Sequence, residues 1–428
     1  MKNSGSQPAS FASEWDWEKG KKTVVASVLP KDPEAWQEEL YVSPDGTHMA
    51  AVVRLEDDSF TLRVNDGQWE QSFEKAWMPR FAPDGRLTAL VMEDDQWTVA
   101  VDGTPWEERF DFIWNTMFGG QSQIYASIQS DMQYGMCKEG EPWAELHDNA
   151  TDFSLSPTGK NSAAVVQVVP LKQADLETFA KGAYTVAVNG TAWEQTFVNA
   201  WTPVFNCLGE EQVAAQVRLN EFEYTIAVNG TPWPTTYNCV WAPSFDPLGS
   251  AVAAPFRKGG RWGMAVDGAE FWKPTYYQCW NQQWSFDAKK LWAIVAPEYG
   301  KFTVACNNTP WNALFPVVTD LVLSPQGTRA AALASHKNEE FRVVVDGVAW
   351  NDAWDMAYPP VFSPNGQHVA ALVRKKDTMT VFIDNKPVGQ TFTKAWQPAF
   401  SPDSSSLLLR GVQNGALVRC VLPLNELF

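Results

Sequence analysis

Near-copies of one short segment recur along the whole chain and constrain its fold more than any other feature. The segment 184–205 reads Y-T-V-A-V-N-G-T-A-W-E-Q-T-F-V-N-A-W-T-P-V-F, and segments 224–245 and 97–118 repeat it with few changes. Self-similarity at a fixed spacing is the signature of an architecture in which one small unit is multiplied. The chain is therefore a repeat protein.

Each copy of the segment predicts two strands joined by a tight turn, followed by a third strand. The run T-V-A-V alternates with a period of two, and N-G or D-G indicates a type I′ hairpin turn, because both central residues of that turn need a positive φ. In W-T-P-V-F, the residues Trp201, Pro203 and Phe205 share one face of the third strand. Proline removes a ladder donor, so we expect this strand to border a sheet edge or a central channel.

A second periodic feature is an S-P-D-G corner, which presets a type I turn between two strands. Around it, four strands fall in roughly 39 residues, a spacing typical of a propeller blade. Clear or weaker forms of the corner begin at residues 43, 82, 118, 156, 206, 246, 286, 324, 363 and 401. A tryptophan follows the hairpin turn in most units, at positions 69, 106, 143, 193, 233, 272, 311 and 350.

The two ends of the chain each supply part of a unit. The last unit has only two predicted strands, Ser406–Val412 and Leu417–Leu422, and Thr23–Leu29 is an unassigned strand at the start. Pairing these ends removes an exposed sheet edge. We therefore predict an all-β fold, a β-propeller of about ten four-stranded blade units in one ring closed by the terminal strands.

Two five-bladed rings are the alternative, because ten blades exceed the usual range of about 4 to 8. An insert at residues 170–182 interrupts the repeat between the second and third strands of one blade, whereas a link between two rings should fall between blades. The insert therefore favours one ring, and its sequence predicts a short helix with Gly182 as C-cap. We assign residues 1–22 to a polar tail or arm and residues 23–428 to the propeller.

The net charge of −17 argues against nucleic acid and anionic membranes as partners, since both require a basic surface. The N-terminus has no apolar run like that of a signal peptide, and no apolar stretch is long enough to span a bilayer. We therefore expect a cytoplasmic protein without direct membrane insertion.

No residue set forms a catalytic or metal-binding signature. The six cysteines include no C-x-x-C pair, and Cys137 and Cys306 align with the valine column of Val64 and Val101. We therefore expect no metal, haem, flavin or other cofactor. Three histidines, His48, His147 and His368, occupy repeat-equivalent positions, and His336 is assigned to a loop. The acidic pairs Asp57–Asp58 and Asp94–Asp95 fall between the second and third strands of their blades. We predict that the protein is not an enzyme.

The corner S-P-D-G, preceded by W-x-P-x-F and followed by A-A-x-V, resembles the WD40-like repeats of TolB-type β-propellers. The tryptophan columns and the repeated V-A-V-[N/D]-G-T-x-W also resemble the tryptophan-rich, TmcD-like subunit of the transmembrane electron-transfer (Tmc) complexes of sulfate-reducing bacteria. This resemblance implies a cofactor-free accessory subunit beside iron-sulfur and cytochrome subunits. It places the protein in the cytoplasm, peripheral at the inner membrane through those partners.

Two function classes follow. The first is a non-catalytic protein-interaction scaffold, an accessory subunit of a membrane-associated electron-transfer complex. The second is a binder or enzyme for a glycan or small molecule that uses the central funnel of the propeller. We place the partner-binding surface on the insert and on the aromatic residue near the start of the blades. The alternative is that these aromatic residues are buried against the next blade. The residues of the surface are Leu171, Leu176 and Phe179 of the insert and the aromatic residues Trp77, Trp114, Trp201, Trp241, Trp280, Tyr358 and Trp396.

Overall fold

A computed structural model describes residues 9–30, 36–171, 173, 175–337 and 340–427. This part of the chain folds into ten antiparallel blades of four strands each, the sheet type of a β-propeller. The predicted all-β fold class is therefore confirmed. The helical elements described are the one-turn α1 (Ala9–Ala12), the short α2 (Leu176–Lys181) and a 3₁₀ turn at Leu424–Glu426.

Each blade runs A-B-C-D, so strand A lies at one edge of its sheet and strand D at the other. The chain divides into two compact units of five blades each. Unit 1 comprises Met1–Arg109 and Thr319–Phe428, and unit 2 comprises Phe110–Val318. Where a repeat contains the W-x-P-x-F segment, that segment forms strand A, as the loss of a donor predicts for a sheet edge.

Unit 1 contains blades 1, 2, 8, 9 and 10, and strand A of blade 9 is interrupted. The strand β1 (Gly20–Val25) belongs to blade 10. Blade 1 holds β2 (Tyr41–Val42), β3 (Met49–Arg54), β4 (Phe60–Val64) and β5 (Gly67–Gln68). Blade 2 holds β6 (Lys75–Phe81), β7 (Leu87–Glu93), β8 (Gln96–Val101) and β9 (Thr104–Pro105).

Unit 2 contains blades 3 to 7, and strand A of blade 6 is interrupted. Blade 3 holds β10 (Phe112–Phe118), β11 (Ile124–Ser130), β12 (Gln133–Lys138) and β13 (Glu141–Pro142), and blade 4 holds β14 (Asn149–Leu155), β15 (Ser162–Gln167), β16 (Tyr184–Val188) and β17 (Thr191–Ala192). Blade 5 holds β18 (Asn199–Phe205), β19 (Val213–Arg218), β20 (Tyr224–Val228) and β21 (Thr231–Pro232), and blade 6 holds β22 (Cys239–Val240), β23 (Ser244–Phe245), β24 (Val252–Lys258), β25 (Arg261–Val266) and β26 (Ala269–Tyr276). Blade 7 holds β27 (Gln278–Trp284), β28 (Leu291–Glu298), β29 (Lys301–Cys306) and β30 (Thr309–Pro310).

The remaining strands complete unit 1. Blade 8 holds β31 (Val317–Leu323), β32 (Ala330–Lys337), β33 (Glu340–Val345) and β34 (Val348–Ala349). Blade 9 holds β35 (Met356–Ala357), β36 (Val361–Phe362), β37 (Val369–Lys375), β38 (Thr378–Ile383) and β39 (Lys386–Phe392). Blade 10 consists of β1 together with β40 (Lys394–Phe400), β41 (Ser406–Gln413) and β42 (Ala416–Pro423).

Strand B of each blade is buried along most of its length and is mainly apolar instead of alternating. In β3, for example, every residue from Met49 to Val53 is buried. Residues on both faces of this strand are covered, because blade 1 shares one apolar core with blade 2 and another with blade 10. A sheet covered on both faces needs apolar side chains on both faces.

The Asn or Asp of the repeated hairpin turn, replaced by Glu139 in blade 3, has a structural role. It adopts a φ between 45° and 51°, and its side-chain oxygen accepts a hydrogen bond from the first N–H of strand B. In blade 4, for example, Asn189 Oδ1 lies 2.9 Å from Ser162 N. The same arrangement recurs in nine blades, at Asn65, Asp102, Glu139, Asn189, Asn229, Asp267, Asn307, Asp346 and Asp384.

The glycine that follows the Asn or Asp of the hairpin turn packs against the hairpin tryptophan of the preceding blade. Gly103 has a φ of 87°, and a Cβ there would lie 3.2 Å from Cγ of Trp69; a Cβ at Gly230 would lie 3.3 Å from Cβ of Trp193. The turn therefore needs glycine both for its conformation and for the tryptophan against it. This contact explains why the motif keeps both residues.

The chain ends close blade 10 as predicted, since β1 pairs with β42. Arg410 of this blade is buried and donates to the carbonyl oxygens of Ser43 (2.8 Å) and Pro44 (2.7 Å) in the first corner of blade 1. Burial lowers the pKa of Arg410 to about 10. Buried Arg419 donates to the carbonyls of Asp45 and Asp16, so two arginines join the last strands to the first residues of the chain.

Several local predictions need correction. The first strand spans Gly20–Val25 instead of Thr23–Leu29, because it follows the length of β42. Cys137 pairs with Ala126 and thus takes the position of Ala100, one residue before the valine column, whereas Cys306 does lie in that column. His336 lies on β32 instead of a loop, since this strand continues beyond the blade core.

Candidate functional site

The start of strand A and the B–C loop lie at the same edge of every blade, which we call the loop edge. The register shows this directly in blade 2, where Lys75 at the start of β6 is opposite Met92 at the end of β7. The insert of blade 4 belongs to this edge because it connects β15 with β16. The S-P-D-G corners lie at the opposite edge, which we call the corner edge.

The predicted aromatic residues occupy equivalent positions in strand A or in its interruption, and none of them is fully buried. Trp114 also contacts Phe153 of the next blade, with ring centroids 6.0 Å apart. Trp77 and Trp241 are 38% and 41% exposed, and the other five are half-buried. Most of them pack on the aromatic residue that begins strand C of the same blade; the pairs are Trp77–Trp97, Trp114–Tyr134, Trp201–Tyr224, Trp241–Trp262 and Trp280–Phe302. Tyr358 packs against the core of blades 9 and 10, and Lys394 lies over the ring of Trp396.

The insert forms the predicted short helix, α2. Asp175 caps its first turn by accepting from Thr178 N (3.0 Å), and Gly182 follows it with a φ of 103°. No residue of α2 is buried. Leu176 is 75% exposed, while Leu171 and Phe179 are half-buried. The three predicted apolar residues thus lie on an element that the blade core does not use.

The loop edge of unit 2 carries further exposed apolar side chains that the repeat analysis missed. Met132, Phe222 and Tyr299 stand in the B–C loops of blades 3, 5 and 7, and they are 75%, 70% and 85% exposed. The signal was present in the sequence, because a large apolar side chain in a tight turn departs from the Gly, Asn, Asp and Pro that turns favour. Together with Leu176 they place an apolar residue at the loop edge of four of the five blades.

The corner edge is occupied by contacts between neighbouring blades. The carboxylate of buried Glu210 in blade 5 accepts from Ser156 Oγ (2.7 Å), Thr158 N (2.6 Å) and Thr158 Oγ1 (2.6 Å) in blade 4. Burial alone would raise the pKa of Glu210, but the hydrogen bonds from Thr158 and Ser156 outweigh it and hold that pKa below its usual range. The corners of unit 2 also expose Leu208, Leu248 and Phe286, at 56%, 57% and 74%.

Polar clusters that could suggest catalysis have structural roles. His368 Nδ1 lies 2.6 Å from Asp384 Oδ2, but this aspartate is the turn residue that also accepts from Val369 N. Ser363 is buried, and its Oγ donates to Asn365 Oδ1 (2.6 Å) instead of facing the imidazole. His147 lies opposite Tyr134 as Phe73 lies opposite Phe60, which is the repeat-equivalent position, and its Nε2 is 2.9 Å from the carbonyl oxygen of Gly190.

Three of the six cysteines, Cys137, Cys279 and Cys420, are buried core residues. Cys137 is fully buried, and burial raises the pKa of its thiol to about 12; burial also raises the pKa of Cys279. All six cysteines are free thiols. Among the residues that the structure describes, no group of three or more His, Cys, Asp or Glu side chains could hold a metal ion. No described helix has the length and hydrophobicity needed to cross a bilayer.

Comparisons with known proteins identify no family for this chain. No protein-family profile matches the chain, and no curated protein matches it. Among solved structures, a eukaryotic initiation factor is 15% identical over 77% of this chain and 90% of that one, with a TM-score of 0.47. The Dos1 propeller is 8% identical over 93% and 94% of the two chains (TM-score 0.34). A dipeptidyl aminopeptidase IV homologue from Bacteroides ovatus is 10% identical over 83% of this chain and 67% of that one, with a TM-score of 0.42. All three TM-scores are too low to support an inference about function.

Proposed function

We propose that the protein is a non-catalytic interaction scaffold whose docking surface is the loop edge of unit 2. The observation that carries the proposal is the set of exposed apolar side chains at that edge, which are Met132, Leu176, Phe222 and Tyr299. Side chains of this kind are enriched at interface centres, and loops on a rigid scaffold commonly carry binding residues.

The packing of the unit supports the loop edge over the corner edge. Polar groups of the corners form hydrogen bonds between neighbouring blades, as Glu210 does with Ser156 and Thr158. The loop edge instead holds α2, an added element in which no residue is buried. The half-exposed tryptophans of strand A extend the same edge with the large, rigid side chains that dominate binding energy in many interfaces.

The finer assignment rests on sequence resemblance alone. Membership of a membrane-associated electron-transfer complex, with iron-sulfur and cytochrome subunits as partners, is a prediction from the Tmc resemblance. A cytoplasmic location, peripheral at the inner membrane through those partners, belongs to the same prediction. That the chain is not an enzyme and binds no cofactor also stays a prediction.

The experiment is affinity purification of the tagged full chain from its native source, followed by mass spectrometry of stoichiometric partners. A loop-edge variant combines Leu176→Ser, Phe222→Ser and Tyr299→Ser. Its matched control combines Leu208→Ser, Leu248→Ser and Phe286→Ser, which removes comparable exposed apolar groups at the corner edge of the same unit. We expect the loop-edge variant to lose the partners and the control to keep them.

Other outcomes reject the assignment. Partners kept by both variants mean that neither edge of unit 2 binds them, and partners lost only by the control move the surface to the corner edge. A glycan or small-molecule binder, the alternative function, predicts instead that isolated protein gains melting temperature with a simple hexose or similar ligand. That shift, in the absence of protein partners, would replace the scaffold proposal.

A further inference from the structure

The loop edges of blades 1 and 2 in unit 1 expose two aromatic pairs. Trp36 packs edge-to-face on Phe60, with ring centroids 5.8 Å apart, and Trp77 packs on Trp97 at 6.1 Å. Trp36 is 46% exposed and Trp77 is 38% exposed. Both pairs therefore present aromatic surface to solvent at the loop edge of two consecutive blades.

In blade 1 the chain places its own arginine beside the aromatic pair. Arg54 is opposite Phe60 in the sheet, and its guanidinium forms an ion pair with Asp58 of the B–C turn at 2.5 Å. Trp36, Arg54, Asp58 and Phe60 line one shallow hollow. Blade 1 thus shows a guanidinium, a turn carboxylate and an aromatic pair assembled at the loop edge.

A related arrangement of an arginine and an aromatic pair occurs in unit 2, where the arginine donates to backbone carbonyls of its loop and not to a carboxylate. In blade 5, Arg218 is opposite Tyr224, and its guanidinium carbon lies 5.6 Å from the centre of that ring. Tyr224 in turn stacks on Trp201. A guanidinium over an aromatic face is attracted by the negative charge density of the ring. The loop-edge aromatic pair is therefore a site that accepts arginine within this repeat.

Blade 2 has the aromatic pair and the turn carboxylates, and its nearby Arg109 pairs with Glu93 (2.8 Å) instead of with the turn aspartates. The position of Arg54 and Arg218 is taken by Met92, which is buried opposite Trp97. The B–C turn of this blade is Asp94–Asp95, and Glu74 Oε1 accepts from Asp94 N (3.0 Å). Within the described residues, no ion pair includes Glu74, Asp94 or Asp95.

We propose that the loop edge of blade 2, formed by Trp77, Trp97 and Asp94–Asp95, binds an arginine side chain of a basic protein segment. The charge of the site selects the occupant, because the carboxylates of one turn and the quadrupole of two rings all favour a cation. Arginine suits the site better than lysine, since its planar guanidinium stacks on rings and pairs with carboxylates at once. This site lies in unit 1, so it is independent of the docking surface proposed for unit 2.

The test uses the full chain and three synthetic peptides of one flexible sequence. They carry two arginines, two lysines or two citrullines, the last being neutral and of the same shape as arginine. Binding is measured by calorimetry at low and physiological salt. We expect the arginine peptide to bind most tightly and the citrulline peptide to bind about tenfold more weakly or not at all.

Variants locate the binding. Asp94→Asn/Asp95→Asn keeps residues that tolerate the positive φ of both positions, at 49° and 60°, so the turn should fold normally. Glu107→Gln/Glu108→Gln removes the same charge from exposed positions after β9 of the same blade. We expect the aspartate variant and Trp77→Leu each to weaken the arginine peptide about fivefold, and the glutamate control to change it less than twofold.

Three results would overturn the proposal. Equal weakening by the glutamate control means that the peptide senses only the net charge of the protein. Equal affinity for the citrulline peptide means that no cation is recognised. Unchanged affinity in Trp77→Leu, with a normal melting temperature, removes the aromatic pair from the site.

Discussion

The loop edges of the two units are built on the same blade but end in different side chains. In unit 1 the B–C turns of blades 1 and 2 carry Asp57–Asp58 and Asp94–Asp95, all exposed. In unit 2 the corresponding loops present Met132, Phe222 and Tyr299. The blade core is complete without these residues, so the loops are free to differ. The two binding surfaces that we propose therefore differ through their loops, while the shared motif is the same in both.

The units also differ in how their blades are completed. Blades 3 to 7 of unit 2 are each made from one continuous stretch of chain. Blade 10 of unit 1 combines β1 with three strands from the C-terminus, and buried Arg410 and Arg419 tie it to residues at the start of the chain. Unit 1 therefore depends on contacts between distant parts of the sequence in a way that unit 2 does not.

Removing residues 417–428 should have the largest effect. The deletion takes away most of β42, and with it the partner of both β1 and β41. Two strand edges and an apolar core are then exposed, so we expect a loss of at least about 5 kcal/mol of unfolding free energy or failure to fold. Thermal unfolding followed by circular dichroism measures it. A melting temperature equal to that of the full chain would show that terminal closure does not stabilise unit 1.

Arg410→Leu should cost about 3 kcal/mol of unfolding free energy. The substitution leaves the buried carbonyl oxygens of Ser43, Pro44 and Gln397 without their charged donor. Arg218→Leu in unit 2 is the control, since that arginine donates to carbonyls of its own loop. Urea unfolding of both variants gives the comparison. Equal losses in the two would mean that the arginine of blade 10 is no more important than an ordinary loop contact.

Glu210→Gln tests the corner contact of unit 2 and its pH dependence. At neutral pH we expect a loss of about 1–3 kcal/mol, because a charged acceptor of three hydrogen bonds becomes a neutral one. The folded pKa of Glu210 is lowered. Its contribution is therefore fully present above the unfolded pKa of about 4.3 and is lost as the pH falls through the folded pKa.

Urea unfolding of the wild type and of Glu210→Gln between neutral and acidic pH checks the direction of this pH dependence. The difference between wild type and Glu210→Gln should shrink as the pH falls. Asp45→Asn in unit 1 is a matched variant, because hydrogen bonds from Ser43 and Thr47 outweigh burial and likewise lower the pKa of Asp45. A difference that stays constant across the pH range would show that the charge of Glu210 is not what stabilises the corner.

Leu176→Ser/Phe179→Ser should have the smallest effect on stability and a clear effect on assembly. No residue of α2 is buried, so we expect a change of less than about 0.5 kcal/mol in unfolding free energy. Partner recovery in affinity purification should fall. Normal assembly of the double variant, or its unfolding, would show that α2 is not a docking element.

The sequence by itself determined the parts of the fold that depend on contacts within one repeat. The N-G and D-G turns, the strand periods and the incomplete last unit predicted ten blades and the pairing of β1 with β42. The position of the insert predicted α2 between two strands of one blade. These signals are local, since a turn or an alternating strand is specified by residues that are neighbours in the chain.

Only the tertiary structure decided which side chains are exposed and which distant residues meet. Arg410 and Glu210 have no repeated counterparts in their roles, so no periodicity pointed to them. The aromatic residues of strand A were ambiguous for the same reason: a tryptophan on a strand can face a neighbouring blade or solvent, and only the packing of that blade selects one. The strand boundaries at Gly20 and the alignment of Cys137 shifted because pairing, and not composition, fixes register.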